Sequence, residues 1–102
     1  MKNNKIRYVE VSPQMHHFEA WVSTTDIAEL KLTMEKLLEE SGFTIVKFSE
    51  HFFPVQGYTG IWLLAESHLA LHTFPESGTS FIQISSCNLE KLHLFKKSDF
   101  FD

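Results

Sequence analysis

The sequence predicts an α+β two-layer sandwich: a mostly antiparallel sheet of four to six strands, with one long helix and a short C-terminal helix on one face. Three observations predict it. Only one long stretch has helical periodicity, several strand-like stretches follow it in succession, and turn residues separate them at short intervals. The first dozen residues, ending in Ser12-Pro13, predict an extended arm or a short edge strand. From His17 to Val22 the chain alternates, with Phe18, Ala20 and Val22 on one strand face. Ser23-Thr24-Thr25-Asp26 then supplies an N-cap, with Glu29 three residues on as in a capping box. Ile27, Leu30, Met34, Leu37 and Leu38 form one helical face, and Gly42 ends the helix, so it runs from about Asp26 to Ser41.

Beyond Phe43 the period drops to two. Thr44, Val46, Phe48 and Phe52 predict one face of a strand reaching about Phe53, and Pro54 and Gly57 bracket a turn. The nearly all-apolar Gly60 to Ala65 reads as a mid-sheet strand. Leu69 to Phe74 predicts the next strand and Pro75-Glu76-Ser77-Gly78 a turn. Thr79 to Ser86 then alternates, with Ile82 and Ile84 facing one way and Phe81, Gln83 and Cys87 the other. Asn88 predicts the cap of a final helix carrying Leu89, Leu92 and Phe95.

Length and charge narrow the function. A chain of 102 residues holds one domain (1–102), and 43% hydrophobic residues with ten Phe are enough for one core. Lys and Arg total 9 against 13 acidic residues, a net charge of −4, which argues against nucleic acid because counterion release needs a basic surface. The longest apolar run, Gly60 to Ala65, is too short to cross a membrane. The opening Met1-Lys2-Asn3-Asn4-Lys5 does not read as a signal peptide, and a single cysteine forms no internal disulfide. A cytoplasmic protein is expected. One helical layer leaves the other sheet face apolar, which predicts a homodimer.

Metal chemistry finds little support. His68 and His72 are four apart, and on a strand that places them on one face about 13 Å apart, too far for a shared zinc without a bend. His16-His17 point to opposite strand faces, and no further Cys or His cluster supplies ligands. Ser67, His68, His72 and Cys87 interrupt the most apolar strands. One reading makes Ser67-His68 a tight turn, His72 a satisfied half-buried histidine and Cys87 a small core residue. The other brings Ser67, His72 and Cys87 together near a strand end, with Cys87 lying beside His72 and Phe74 in a meander, where acid–base chemistry could use them.

The run from Gly60 to Glu76 weighs on the second reading. Glu66-Ser67-His68, then His72-Thr73-Phe74-Pro75-Glu76, then Cys87 resembles the signature of the small prokaryotic S-adenosylmethionine decarboxylases, in order and in spacing. The match covers about a third of the chain, and Glu40 to Val46 extends it weakly. The resemblance implies a proenzyme that cuts its own backbone between Glu66 and Ser67. The Ser67 hydroxyl attacks the preceding carbonyl to form an ester, β-elimination leaves dehydroalanine, and hydrolysis yields a pyruvoyl group. That group forms a Schiff base with the substrate amine and takes up the electrons freed as CO₂ leaves. No metal or diffusible cofactor is implied. Ser67 becomes the pyruvoyl, His72 removes the proton that permits elimination, Thr59 assists the backbone rearrangement, and Cys87 is the catalytic proton donor. Phe53 and Phe74 sandwich an adenine and Glu76 binds ribose hydroxyls, a sound nucleoside site; ordinary core aromatics remain the other reading of the two Phe.

Four departures qualify the match. Asn88 stands where the family carries Gly, and the fifteen residues Asn88 to Asp102 imply a truncated C-terminal layer. Gln83 occupies a position where an acid is common, and the His-His-Phe-Glu opening matches loosely. The substrate implied is S-adenosylmethionine, for spermidine and polyamine synthesis. The alternatives are a pyruvoyl-dependent arginine or ornithine decarboxylase and a non-processing binding or regulatory homologue. Self-cleavage needs a strained bend at Glu66-Ser67. Three residues between strands ending at Ala65 and starting at Leu69 are expected to provide it, with Thr59 and His72 converging on the bond through sheet pairing.

Overall fold

A computed structural model describes residues 6–12 and 14–101 of the chain. Residues 6–12 carry no strand and are exposed, so the early edge strand is not formed there; the first five residues and Pro13 lie outside the described residues. Regular structure starts with β1 (His16–Val22), followed by α1 (Ile27–Glu40), β2 (Ile45–Phe52), β3 (Tyr58–Leu64), β4 (Ser67–Phe74), β5 (Thr79–Ser86), α2 (Leu89–Lys96) and a 3₁₀ turn at Asp99–Phe101.

Local chemistry explains the helix ends. The Asp26 carboxylate accepts the Glu29 N–H at 3.0 Å, as an N-cap should. The reciprocal half of the capping box is not made, because Thr24 intervenes: its hydroxyl accepts the Asp26 N–H and donates to Glu29, each at 3.2 Å. Ser41 closes α1 and Gly42 follows at φ 90°, a left-handed turn that glycine adopts without strain. Asn88 caps α2 by accepting the Lys91 N–H at 2.9 Å.

The five strands run in the order β1-β5-β4-β3-β2, every neighbouring pair antiparallel. Consecutive strands β2 to β5 are neighbours, while α1 carries the chain from one edge of the sheet to the other. Register assigns the faces. Tyr58, Trp62 and Leu64 of β3 share a face with Leu69 and Leu71 of β4 and Ile82 and Ile84 of β5, and all are buried. Leu30, Met34 and Leu38 of α1 and Leu92 and Phe95 of α2 pack on them in one core. Burying each such side chain contributes about 1.5–3 kcal/mol. The two large aromatics place their polar tips at the rim: Trp62 Nε1 donates to Glu35 at 3.0 Å and the Tyr58 hydroxyl to Glu50 at 2.5 Å.

One sequence expectation changes. A bulge between Ile45 and Lys47 inserts Val46, which is 60% exposed, so Ile45, Phe48 and Phe52 oppose Leu64, Trp62 and Tyr58 while Thr44 and Val46 leave that face. The β3 strand is interior but not covered on both sides: Ile61 and Leu63 are exposed on the face away from the helices. Trp21, Phe74 and Phe81 form an aromatic cluster on that same open face, with ring centroids 5.7 and 5.0 Å from Trp21.

Candidate active site

Ser67 does not lie in a turn. Strand β4 begins at Ser67, and the β3–β4 hairpin closes through only two residues, Ala65 and Glu66. Two-residue hairpins need left-handed backbone, which Gly or Asn normally supplies. Here Glu66 takes it at φ 63°, alone among the described non-glycine residues. The expected bend is therefore present, tighter than three residues and located on the residue before the serine.

Two groups close on this junction. Pairing of β4 with β5 sets Ser67 opposite Ser86, and the Ser67 hydroxyl donates to that of Ser86 at 2.7 Å in the interior. Cys87, one residue beyond β5, directs its thiol at Glu66, with Sγ 3.6 Å from the carbonyl oxygen and 3.4 Å from Oε1. It is an exposed side chain, not a core residue. The Glu66 carboxylate that accepts its hydrogen bond raises the thiol pKa above the ordinary value, and desolvation adds to the effect. The thiol thus keeps its proton at neutral pH, as a proton donor requires.

Thr59 and His72 form a second cluster. They are direct partners across β3 and β4, and the Thr59 hydroxyl lies 2.9 Å from His72 Nδ1, which orients the ring. They do not reach the Glu66–Ser67 bond. Five residues along β4 separate Ser67 from His72, about 17 Å at strand rise, and the odd spacing puts them on opposite faces. Cys87 likewise lies beside Glu66 and not beside His72, because the antiparallel register pairs His72 with Phe81.

An open cleft of about 310 Å³ surrounds the second cluster, lined by Phe53, Gln56, Thr59, His72, Phe74 and Glu76. That volume is at the lower end for small-molecule sites. Phe53 is 48% exposed and Phe74 36%, so neither is a core aromatic. The carboxylate of Glu76 reaches the Gln56 amide at 3.4 Å. Every nucleoside-binding residue expected from the sequence lines this cleft, together with the Thr–His pair. Sequence reasoning missed Gln56 and Ser86. The signal for Ser86 was the run Ser85-Ser86-Cys87, which ends an apolar strand in small polar residues.

The S-adenosylmethionine decarboxylase family model matches residues 15–97 of the chain. The chain belongs to the S-adenosylmethionine decarboxylase family. Among curated relatives, the S-adenosylmethionine decarboxylase proenzymes of Parasynechococcus marenigrum and Prochlorococcus marinus are each 40% identical over 62 residues, which is 61% of this chain and 48% and 50% of theirs. The proenzyme of Methanococcus aeolicus is 36% identical over 73 residues, 68% of this chain and 62% of its own. The chain spans about half the length of the first two relatives. A solved adenosylmethionine decarboxylase from Aquifex aeolicus shares the fold at a TM-score of 0.66, with 22% identity over 81% of this chain and 73% of that one. No helix among the described residues is long and apolar enough to cross a membrane.

Proposed function

We propose that this chain is a cytoplasmic decarboxylase precursor that cuts itself between Glu66 and Ser67 and removes CO₂ from S-adenosylmethionine for spermidine and polyamine synthesis. The single observation that carries the reading is the junction itself: a left-handed glutamate directly precedes the serine, and the Cys87 thiol shares its one proton between that glutamate's carboxylate and its carbonyl oxygen. The Ser67 oxygen adds to the Glu66 carbonyl carbon, and Cys87 steadies the oxygen as negative charge builds on it. Collapse of the adduct releases the strained bend.

The pyruvoyl group made from Ser67 would supply the electron sink for decarboxylation. The residues fit it: cleavage frees a new N-terminus at the start of β4, beside a thiol held protonated for return of a proton. Phe53 and Phe74 offer ring faces to an adenine, and Glu76 with Gln56 offers acceptors and donors to ribose hydroxyls.

His72, with Thr59 fixing its Nδ1, keeps Nε2 free to take the proton that permits elimination. At about 17 Å from its own chain's Ser67 it acts on a partner. A homodimer packed through the open face, where Trp21 is 62% exposed, answers this need. Such a dimer would need a twofold axis crossing the strands, so that each chain's cleft meets the exposed Glu66 end of its partner's hairpin. Each site then draws on both chains.

Intact mass spectrometry of purified protein tests the cleavage. The expected result is two fragments, Met1 to Glu66 and one starting at position 67 with a blocked, carbonyl-containing N-terminus, while Ser67→Ala stays whole. Full-length chain alone after long incubation overturns the reading and leaves a non-processing binding domain. Measuring CO₂ release from S-adenosylmethionine, arginine and ornithine tests the substrate. Activity on arginine or ornithine alone makes the nucleoside assignment wrong.

A further inference from the structure

A serine hydroxyl attacks a carbonyl only when a lone pair faces the carbon, so its proton must be directed elsewhere. Ser67 is 7% exposed, and water does little to orient its hydroxyl. Its partner is Ser86, fully buried and opposite it in the β4–β5 pairing. Ser86 is itself fixed. Its Oγ accepts the Asn88 N–H at 2.9 Å and aims its own proton at the Asn88 carbonyl at 3.5 Å. With its one proton engaged, Ser86 has only a lone pair to offer Ser67, whose hydroxyl therefore donates at 2.7 Å. Both lone pairs of the Ser67 oxygen are then left for attack.

We infer that Ser86 is a positioning residue for self-cleavage, holding the Ser67 hydroxyl as a donor so that its lone pairs are free for the Glu66 carbonyl. The inference rests on the self-cleavage reading above. The segment Ser86-Cys87-Asn88 then grips both reacting groups, the nucleophile through Ser86 and the carbonyl oxygen through Cys87. In the step so prepared, the Ser67 oxygen bonds to the Glu66 carbonyl carbon and the C–N bond breaks. The hydroxyl proton ends on the Ser67 nitrogen, giving an ester and an amine isomeric with the peptide. No other reactant is consumed.

Ser86→Thr and Ser86→Val test this, having one shape and differing in the hydroxyl. Cleavage of each is timed by intact mass, with and without hydroxylamine, which cuts esters independently of elimination. Ser86→Thr should cleave within a few-fold of wild type. Ser86→Val should be roughly tenfold slower than Ser86→Thr, the effect of one neutral hydrogen bond, and hydroxylamine should not speed it, because no ester has formed. Equal rates for Thr and Val overturn the inference. So does a Val variant that hydroxylamine cuts rapidly, since the block would then follow the acyl shift. If the β-branched pair does not fold, Ser86→Ala against wild type is judged by the same outcomes. Wild type that stays whole even with hydroxylamine overturns both this inference and the reading beneath it, whereas cleaving wild type with an unaffected Val variant removes this inference alone.

Discussion

Replacing Glu66 by glycine asks whether the hairpin carries strain that cleavage releases. At φ 63° the Glu66 Cβ crowds the following carbonyl, which costs a non-glycine residue about 1–2 kcal/mol. Glycine removes that cost but gives the unfolded chain more freedom, worth about 0.5–1 kcal/mol. The net expectation is a chain more stable by about 0.5–1 kcal/mol. For a domain near 100 residues this raises Tm by roughly 2–5 °C. The melt is read in a Ser67→Ala background, so that one uncut species unfolds. In the cleaving protein the same strain lowers the barrier, so glycine should slow cleavage by about two- to fivefold. Glycine also deletes the carboxylate beside Cys87, and Glu66→Ala controls for that by losing the carboxylate while keeping a Cβ at positive φ. Glycine should melt above alanine and cleave more slowly. A glycine variant that melts below alanine or cleaves faster refutes the reasoning.

The thiol of Cys87 is raised first by its hydrogen bond to Glu66, so Glu66→Gln in the uncut background should shift the pH profile of iodoacetamide alkylation to lower pH; an unmoved profile assigns the shift to another cause. Cys87→Ser should fold normally yet turn over more slowly or divert to transamination of the pyruvoyl group, and unchanged turnover with lost stability would make Cys87 structural. Tyr58 is raised above its ordinary value of 10.0 by burial and by Glu50, so its stabilisation is complete below that pH and is lost above it. Glu50, lowered from 4.5 by Tyr58 and Lys31, contributes above that pH and loses its share as the solution is acidified. Tyr58→Phe should flatten both limbs of Tm against pH, and two unchanged limbs would count against the pairing. His72→Ala alone should stall, yet co-expression with Ser67→Ala should restore cutting of the His72→Ala chain, because the partner's His72 then reaches its bond; failure to restore it argues against shared sites. Trp21→Glu on the open face should turn a dimer into a monomer by sedimentation and stop cutting as well.

Much was legible from local signals alone. Ile27, Leu30, Met34 and Leu38 repeat at helical spacing after Asp26, and both the cap and the buried stripe are where that spacing puts them. The alternation from Thr79 to Ser86 likewise marks a strand, since side chains alternate faces whatever the strand pairs with. Residue types were legible too: Glu66, Ser67, His72 and Cys87 stand out as polar groups among apolar strands, and Phe53, Phe74 and Glu76 do line one cleft. Val46 was not, because a bulge depends on how two strands meet. Nor was the two-residue hairpin, because Glu66 is not a residue whose type advertises left-handed backbone.

The sequence by itself determined which elements form and which chemical groups they carry, because caps and periodicity act over a few residues. Only the tertiary structure decided which of those groups meet. An antiparallel strand reverses the chain, so Cys87, twenty residues beyond Ser67, returns to Glu66. A strand also advances about 3.3 Å per residue and alternates faces, so His72, only five residues on, is carried to the far end and the other side of the sheet.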